Sequence, residues 1–143
     1  SIEDKIKSIK QIGKNSSFLC LIWKDPYMAA ASSTYISSFI SNFGFNNSIS
    51  HLKRYPKISL EEIKTMAPEW IFLPDEPYAF NEENKKTLQK ILPKSKVITL
   101  IGKHLSWYGS LSYTAIDYFT SLCTNAISTN SILHQPKKTH PDH

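Results

Sequence analysis

Residues 68–80 read Pro-Glu-Trp-Ile-Phe-Leu-Pro-Asp-Glu-Pro-Tyr-Ala-Phe and hold the chain's densest set of groups able to bind or react. An apolar run at 70–73 stops at Pro74, and the acids Asp75 and Glu76, then Pro77, Tyr78 and Phe80, follow at once. Each proline fixes one φ and biases the residue before it towards extended backbone, so this reads as a buried strand feeding a stiffened loop. A carboxylate there can serve as a general base, meet basic groups of a partner, or sit at the start of the next helix, where the macrodipole favours acids. Spacing alone leaves the three open.

Other loops carry further candidates. Trp107 and Tyr108 offer flat faces to a planar ligand, or one of them packs beneath the last helix; Trp107 is the better candidate. Arg54, beside Tyr55, can take a carboxylate or phosphate bidentately, or stand exposed with no partner. Tyr27 and Met28 follow the first strand; Met28 and Trp23, at that strand's end, line the floor of a cleft or fill the core, with core favoured for Trp23. His51, His104 and the tail histidines share no ligand spacing with one another, so direct metal chelation is not expected. Trp-Lys-Asp-Pro-Tyr stands where a Gly-x-Gly-x-x-Gly would follow the first strand, and with four glycines in all no backbone cradle for pyrophosphate is expected. No catalytic residue and no cofactor is assigned.

These groups need elements to position them. Ile2, Ile6, Ile9 and Ile12 form one stripe of a helix closed by Gly13. Residues 18–23 are a continuous apolar run, the pattern of a central strand buried on both faces. Ser32-Ser33-Thr34 offers caps for a helix whose face is Tyr35, Ile36, Phe39, Ile40 and Phe43, ending at Gly44. Asn46-Asn47 reads as a turn and 49–52 as a short strand. Ser59 with Glu62 is a capping box for a helix over 60–66. Residues 81–92 form a charged helix, 97–101 a last strand, and 112–127 a final helix with Ile116, Phe119, Leu122, Cys123 and Ile127 on one side. Strand alternating with helix four times predicts an α/β fold: a single lobe of roughly four parallel strands with helices on both faces. Ligands of such sheets meet the carboxyl ends of the strands, which gathers the aromatic loops on one edge.

At 143 residues and 41% hydrophobic, the chain suits one core. Its formal charge of +5 is spread over seventeen Lys and Arg among twelve acids, with no evident basic stripe, so no nucleic-acid partner is expected. The basic pair Lys137-Lys138 lies in the polar tail 131–143. No apolar window is long enough to span a bilayer, and there is no basic-then-apolar leader after Ser1. Cys20 and Cys123 fall among apolar neighbours and read as buried thiols rather than a disulfide.

Four segments, in order, carry a resemblance: Ile22-Trp23-Lys24-Asp25-Pro26-Tyr27-Met28-Ala29-Ala30, then Arg54-Tyr55-Pro56-Lys57-Ile58-Ser59-Leu60-Glu61-Glu62-Ile63, then Leu73-Pro74-Asp75-Glu76-Pro77-Tyr78-Ala79-Phe80, and Leu105-Ser106-Trp107-Tyr108-Gly109-Ser110. Together they resemble the substrate-binding proteins of ABC importers for iron complexes and cobalamin, the helical-backbone metal receptors. The resemblance implies two Rossmann-like lobes joined by one helix, with the ligand between them. This chain resembles the end of that helix, 1–13, and the second lobe, 14–130, with the N-terminal lobe missing. It further implies a siderophore or corrinoid complex as ligand, an ABC permease as partner, a periplasmic or extracytoplasmic location at the membrane, and no enzymatic step. The implied ligand-binding residues are Trp107, Tyr108, Arg54, Tyr55, Tyr27, Met28, Tyr78 and Glu76. The sequence departs from the family in having Ile101-Gly102-Lys103 before the Ser-Trp-Tyr-Gly and Leu111 after it. The competing reading from the residues alone is a small doubly wound enzyme or nucleotide-binding domain with Glu76 or Asp75 as base; a third is a truncated lobe that folds and binds nothing.

Overall fold

The computed structural model describes residues 1–105 and 112–133. In chain order these form α1 (Ile2–Gly13), β1 (Ser17–Trp23), β2 (Met28–Ala29), α2 (Tyr35–Ser41), β3 (Asn46–Asn47), α3 (Leu60–Met66), β4 (Trp70–Pro74), α4 (Glu82–Ile91), β5 (Lys96–Leu100), a 3₁₀ turn at Gly102–Leu105, and α5 (Tyr113–Leu133). β1 is central: it runs parallel to β4, which runs parallel to β5. Alternation along these strands feeds two cores. Phe18, Cys20, Trp70, Phe72, Ile98 and Leu100 face Ile9 of α1, Phe39 and Ile40 of α2, and Ile116, Phe119 and Cys123 of α5. Leu19, Leu21, Ile71, Leu73 and Val97 face Ile63 of α3 and Leu88 of α4. The expected parallel sheet with helices on both faces is what forms.

Local signals explain the helix ends. Ser59 and Glu62 close the expected capping box on α3, and Asn81 with Asn84 forms another on α4. Gly13, the last residue of α1, has no room for a side chain: an added Cβ would overlap the Phe43 carbonyl oxygen and lie 2.5 Å from Phe45 Cδ1.

One expectation is corrected. Residues 49–52 are turns, and the strand pairing falls earlier, at Asn46–Asn47, which had read as a turn. The cause is Asn47, 8% exposed. Its Oδ1 accepts from the Ile49 amide at 3.0 Å and its Nδ2 donates to the Ala30 carbonyl at 2.9 Å and to Ser37 Oγ at 2.8 Å. The chain is thereby turned away from the sheet, and Ile49 goes into the second core. The edge beside β1 is consequently split. β3 pairs parallel with Ser17 and Phe18, while β2, folded back through the turn after Trp23, pairs antiparallel with Leu21 and Trp23.

At the opposite edge, β5 has no strand beyond it among the described residues. Gln89 of α4 lies along it, its Oε1 accepting from the Val97 amide at 3.2 Å and its Nε2 donating to the Ser95 carbonyl at 2.6 Å. Tyr118 of α5 accepts from the Ile101 amide at 2.8 Å, and Thr99 Oγ1 donates to Glu82 at 3.1 Å.

Candidate functional site

The carboxyl ends of β1, β4 and β5 open on one edge, and the loops leaving them touch. Trp23, the last residue of β1, is 40% exposed and meets Tyr78 edge-on with ring centroids 5.3 Å apart. Tyr78 in turn lies 4.6 Å from Phe80, which is buried in the second core and anchors the loop after β4. Tyr27 is half-buried, and burial pushes its phenol above the usual tyrosine range. Met28, also half-buried, pairs through its backbone with Trp23. Lys24 and Asp25 form an ion pair at 3.4 Å in the turn between, and Asp25 holds a left-handed φ of 59°.

The acids of the β4 loop are placed differently from each other. Asp75 is tied down: its amide donates to the Leu100 carbonyl at 2.9 Å and its Oδ1 accepts from the Gly102 amide at 2.9 Å, locking this loop to the exit of β5. Glu76 is exposed, with its stem over Gly102, where an added Cβ would come 3.1 Å from Glu76 Cγ. Neither acid caps the following helix, because Asn81 does. Glu76 is therefore left as a charge presented to solvent beside the Trp23–Tyr78 pair. Below it, Tyr118 stands 5.0 Å from the His104 ring, with its phenol raised chiefly by burial.

Tyr27, Met28, Tyr78 and Glu76 are thus gathered on the expected edge. Arg54 and Tyr55 are not brought into this cluster. They lie outside the returning segment 28–32, with Arg54 bonded through its backbone to Ala31 and Ser32, on the flank of the sheet. Trp107 and Tyr108 lie outside the described residues. Of the two readings open for Trp23, core and cleft floor, the favoured core placement is corrected: as the last residue of β1 it is 40% exposed. Cys20 and Cys123 are free and buried, with thiols raised by burial, which leaves them poor nucleophiles. Among the described residues no three His, Cys, Asp or Glu side chains converge to hold a metal ion. No helix among them is long and apolar enough to cross a membrane. Among the described residues the edge presents the Trp23 and Tyr78 rings and the exposed Glu76 carboxylate.

The fold is a doubly wound α/β lobe whose strand ends open on one edge. The comparisons make this specific: the periplasmic binding protein family model matches residues 1–97, and the chain belongs to that family. Its members are binding proteins rather than enzymes. Among solved structures, unliganded FhuD2 from Staphylococcus aureus superposes with a TM-score of 0.65 at 14% identity, covering 87% of this chain and 50% of that one. The periplasmic heme-binding protein RhuT from Roseiflexus sp. RS-1 gives 0.62 at 18% identity, with 87% and 53% covered. The periplasmic vitamin B12 binding protein BtuF of Vibrio cholerae gives 0.55 at 14%, with 90% and 51% covered. The chain spans about half the length of these structures. A search of curated proteins finds no match.

Proposed function

We propose that this chain is the second lobe of an ABC-importer substrate-binding protein. It holds a metal-complex small molecule (a ferric siderophore, a heme or a cobalamin-type corrinoid) against a first lobe outside the cytoplasm and presents it to an ABC permease. The observation that carries this reading is the Trp23–Tyr78 pair standing open at the carboxyl edge. The course of α1 supports it. Lys5 pairs with Asp117 at 2.6 Å near the start of α5, which leaves from the carboxyl side, whereas Gly13 leads to β1 at the amino side. A segment ahead of Ser1 would therefore emerge beside the rings, and a first lobe on it would cover them. Tyr27 and Met28 form the flank of the site, Trp107 and Tyr108 contribute further rings, and Glu76 is the carboxylate offered to the permease. That RhuT is a heme-binding protein and BtuF a vitamin B12 binding protein supports a planar macrocycle among the candidates.

One lobe leaves half of such a ligand in water and closes no cleft, so affinity of the chain alone is expected to be about millimolar. Titration with hemin, a ferric hydroxamate and cyanocobalamin, followed by calorimetry and tryptophan fluorescence, should give weak saturable quenching that Trp23→Phe reduces. Submicromolar binding by this chain would overturn the shared cleft; quenching unchanged in Trp23→Phe would overturn the site.

A further inference from the structure

Residues 51–57 read His-Leu-Lys-Arg-Tyr-Pro-Lys, and the fold lays them outside β2 as the outermost strip of that flank. The strip is held by backbone bonds along its length. Ser32 donates to the Leu52 carbonyl at 3.2 Å and Arg54 to Ser32 at 2.9 Å. Ala31 donates to Arg54 at 2.8 Å, Ala29 to Pro56 at 3.1 Å, and Ile58 to Tyr27 at 2.9 Å. Arg54 sits at φ 63°, a left-handed conformation that a side chain adopts at some cost and that the surrounding bonds enforce.

Every residue of the strip except Pro56 is exposed, Leu52 at 37% and Tyr55 at 47%. Among the described residues the ion pairs involve Lys5, Lys24 and the N-terminus, and none involves Lys53, Arg54 or Lys57. Three cations with no ion pair among the described residues are thus interleaved with an exposed leucine and an exposed tyrosine on a rigid support. The alternation with Leu52, Tyr55 and Pro56 is what hid this basic strip in the sequence.

We infer that the strip rests on an anionic lipid surface. Lipid phosphates diffuse laterally to meet each cation, so no matching arrangement of acids is required. The headgroup layer also accepts what a purely ionic partner would not need: Tyr55 with its apolar ring and polar tip, and Leu52 dipping below it. Because the backbone is already pinned, contact costs little ordering.

The test uses the full chain and vesicles of phosphatidylglycerol with phosphatidylcholine, which contain no metal complex and so leave the ring site out of the readout. Wild type should co-sediment with these vesicles, in a salt-sensitive way, and not with pure phosphatidylcholine. Lys53→Gln/Arg54→Gln/Lys57→Gln should weaken binding roughly 100-fold, from about a fivefold contribution per cation. The equal-charge control Lys85→Gln/Lys86→Gln/Lys90→Gln on α4 should bind nearly as wild type, and Leu52→Ser should bind less. Should the strip variant fail to fold, Tyr55→Trp provides a second reading: its emission should shift to the blue on anionic vesicles alone. Equal loss in the two triple variants would reduce the effect to net charge, and equally strong strip-dependent binding to soluble polyglutamate would indicate an acidic protein. Either result, or no binding by wild type, overturns the inference.

Discussion

Replacing Asn47 with alanine should cost far more than its place in a two-residue strand suggests. The side chain makes three hydrogen bonds, to the Ala30 carbonyl, Ser37 Oγ and the Ile49 amide, and is 8% exposed. At about 1 kcal/mol net for each bond, and more where a buried group is stranded, truncation should cost about 3–5 kcal/mol. Water softens this. Asn47 lines a surface depression of ≈ 340 Å³ with Ser32, Ser37 and Ser50, through which solvent can reach part of the vacated space. The lower figure, about 3 kcal/mol, is therefore expected, a drop of roughly 1.5–2 M in urea midpoint for a domain of this size. Asn46→Ala, at an exposed neighbour in the same strand, should change stability by no more than about 0.5 kcal/mol. Urea denaturation followed by far-ultraviolet circular dichroism compares the two directly. If Asn47→Ala costs no more than Asn46→Ala, the split edge is held by its backbone and core contacts, and the role given to this amide is wrong.

Two further outcomes follow from packing and charge. Gly13→Ala should prevent folding or cost several kcal/mol, because the new Cβ meets backbone at Phe43 that has no room to yield, whereas Gly102→Ala meets only the flexible Glu76 stem and should be mild; thermal melts separate them. Bonds from the Ser59 backbone and hydroxyl lower the Glu62 pKa, so its stabilising effect is present above the ordinary glutamate range and is lost as pH falls through the depressed value. Glu62→Gln should therefore show a shallower loss of stability on the acid side than wild type in urea titrations from neutral pH downwards, and an unchanged slope would remove Glu62 from the cap.

How much the sequence disclosed varied with how local the cause was. The isoleucine stripe of α1, the Ser59–Glu62 box and the apolar runs of β1, β4 and β5 are set by residues a few positions apart, and all appear where periodicity and capping put them. The split edge was not legible because its cause is long-range in the chain: Asn47 bonds to Ala30 and Ser37, partners that a reading of Asn46-Asn47 as a turn cannot supply. The candidate site divided in the same way. The strand-end rule gathered Tyr27, Met28, Tyr78 and Glu76 on one edge, but it gave no hint that the return of β2 would set Arg54 and Tyr55 on the flank. Trp23 stayed divided between core and cleft floor because an aromatic at the close of an apolar run suits either until the strand's last residue is known.

The covering of β5 has a consequence for how such a lobe behaves alone. In a parallel ladder alternate backbone groups of an edge strand point outwards and can recruit another chain. The Lys96 amide donates inwards to Glu69, so the outward-facing amides are those of Val97, Thr99 and Ile101. Two of these three already have acceptors, Gln89 and the Tyr118 hydroxyl, and Glu82 holds the Thr99 side chain between them. A stray strand would have to displace both helices' side chains before its first pair of bonds could form. A stray strand therefore finds little purchase along β5, and that edge is kept from templating fibrils.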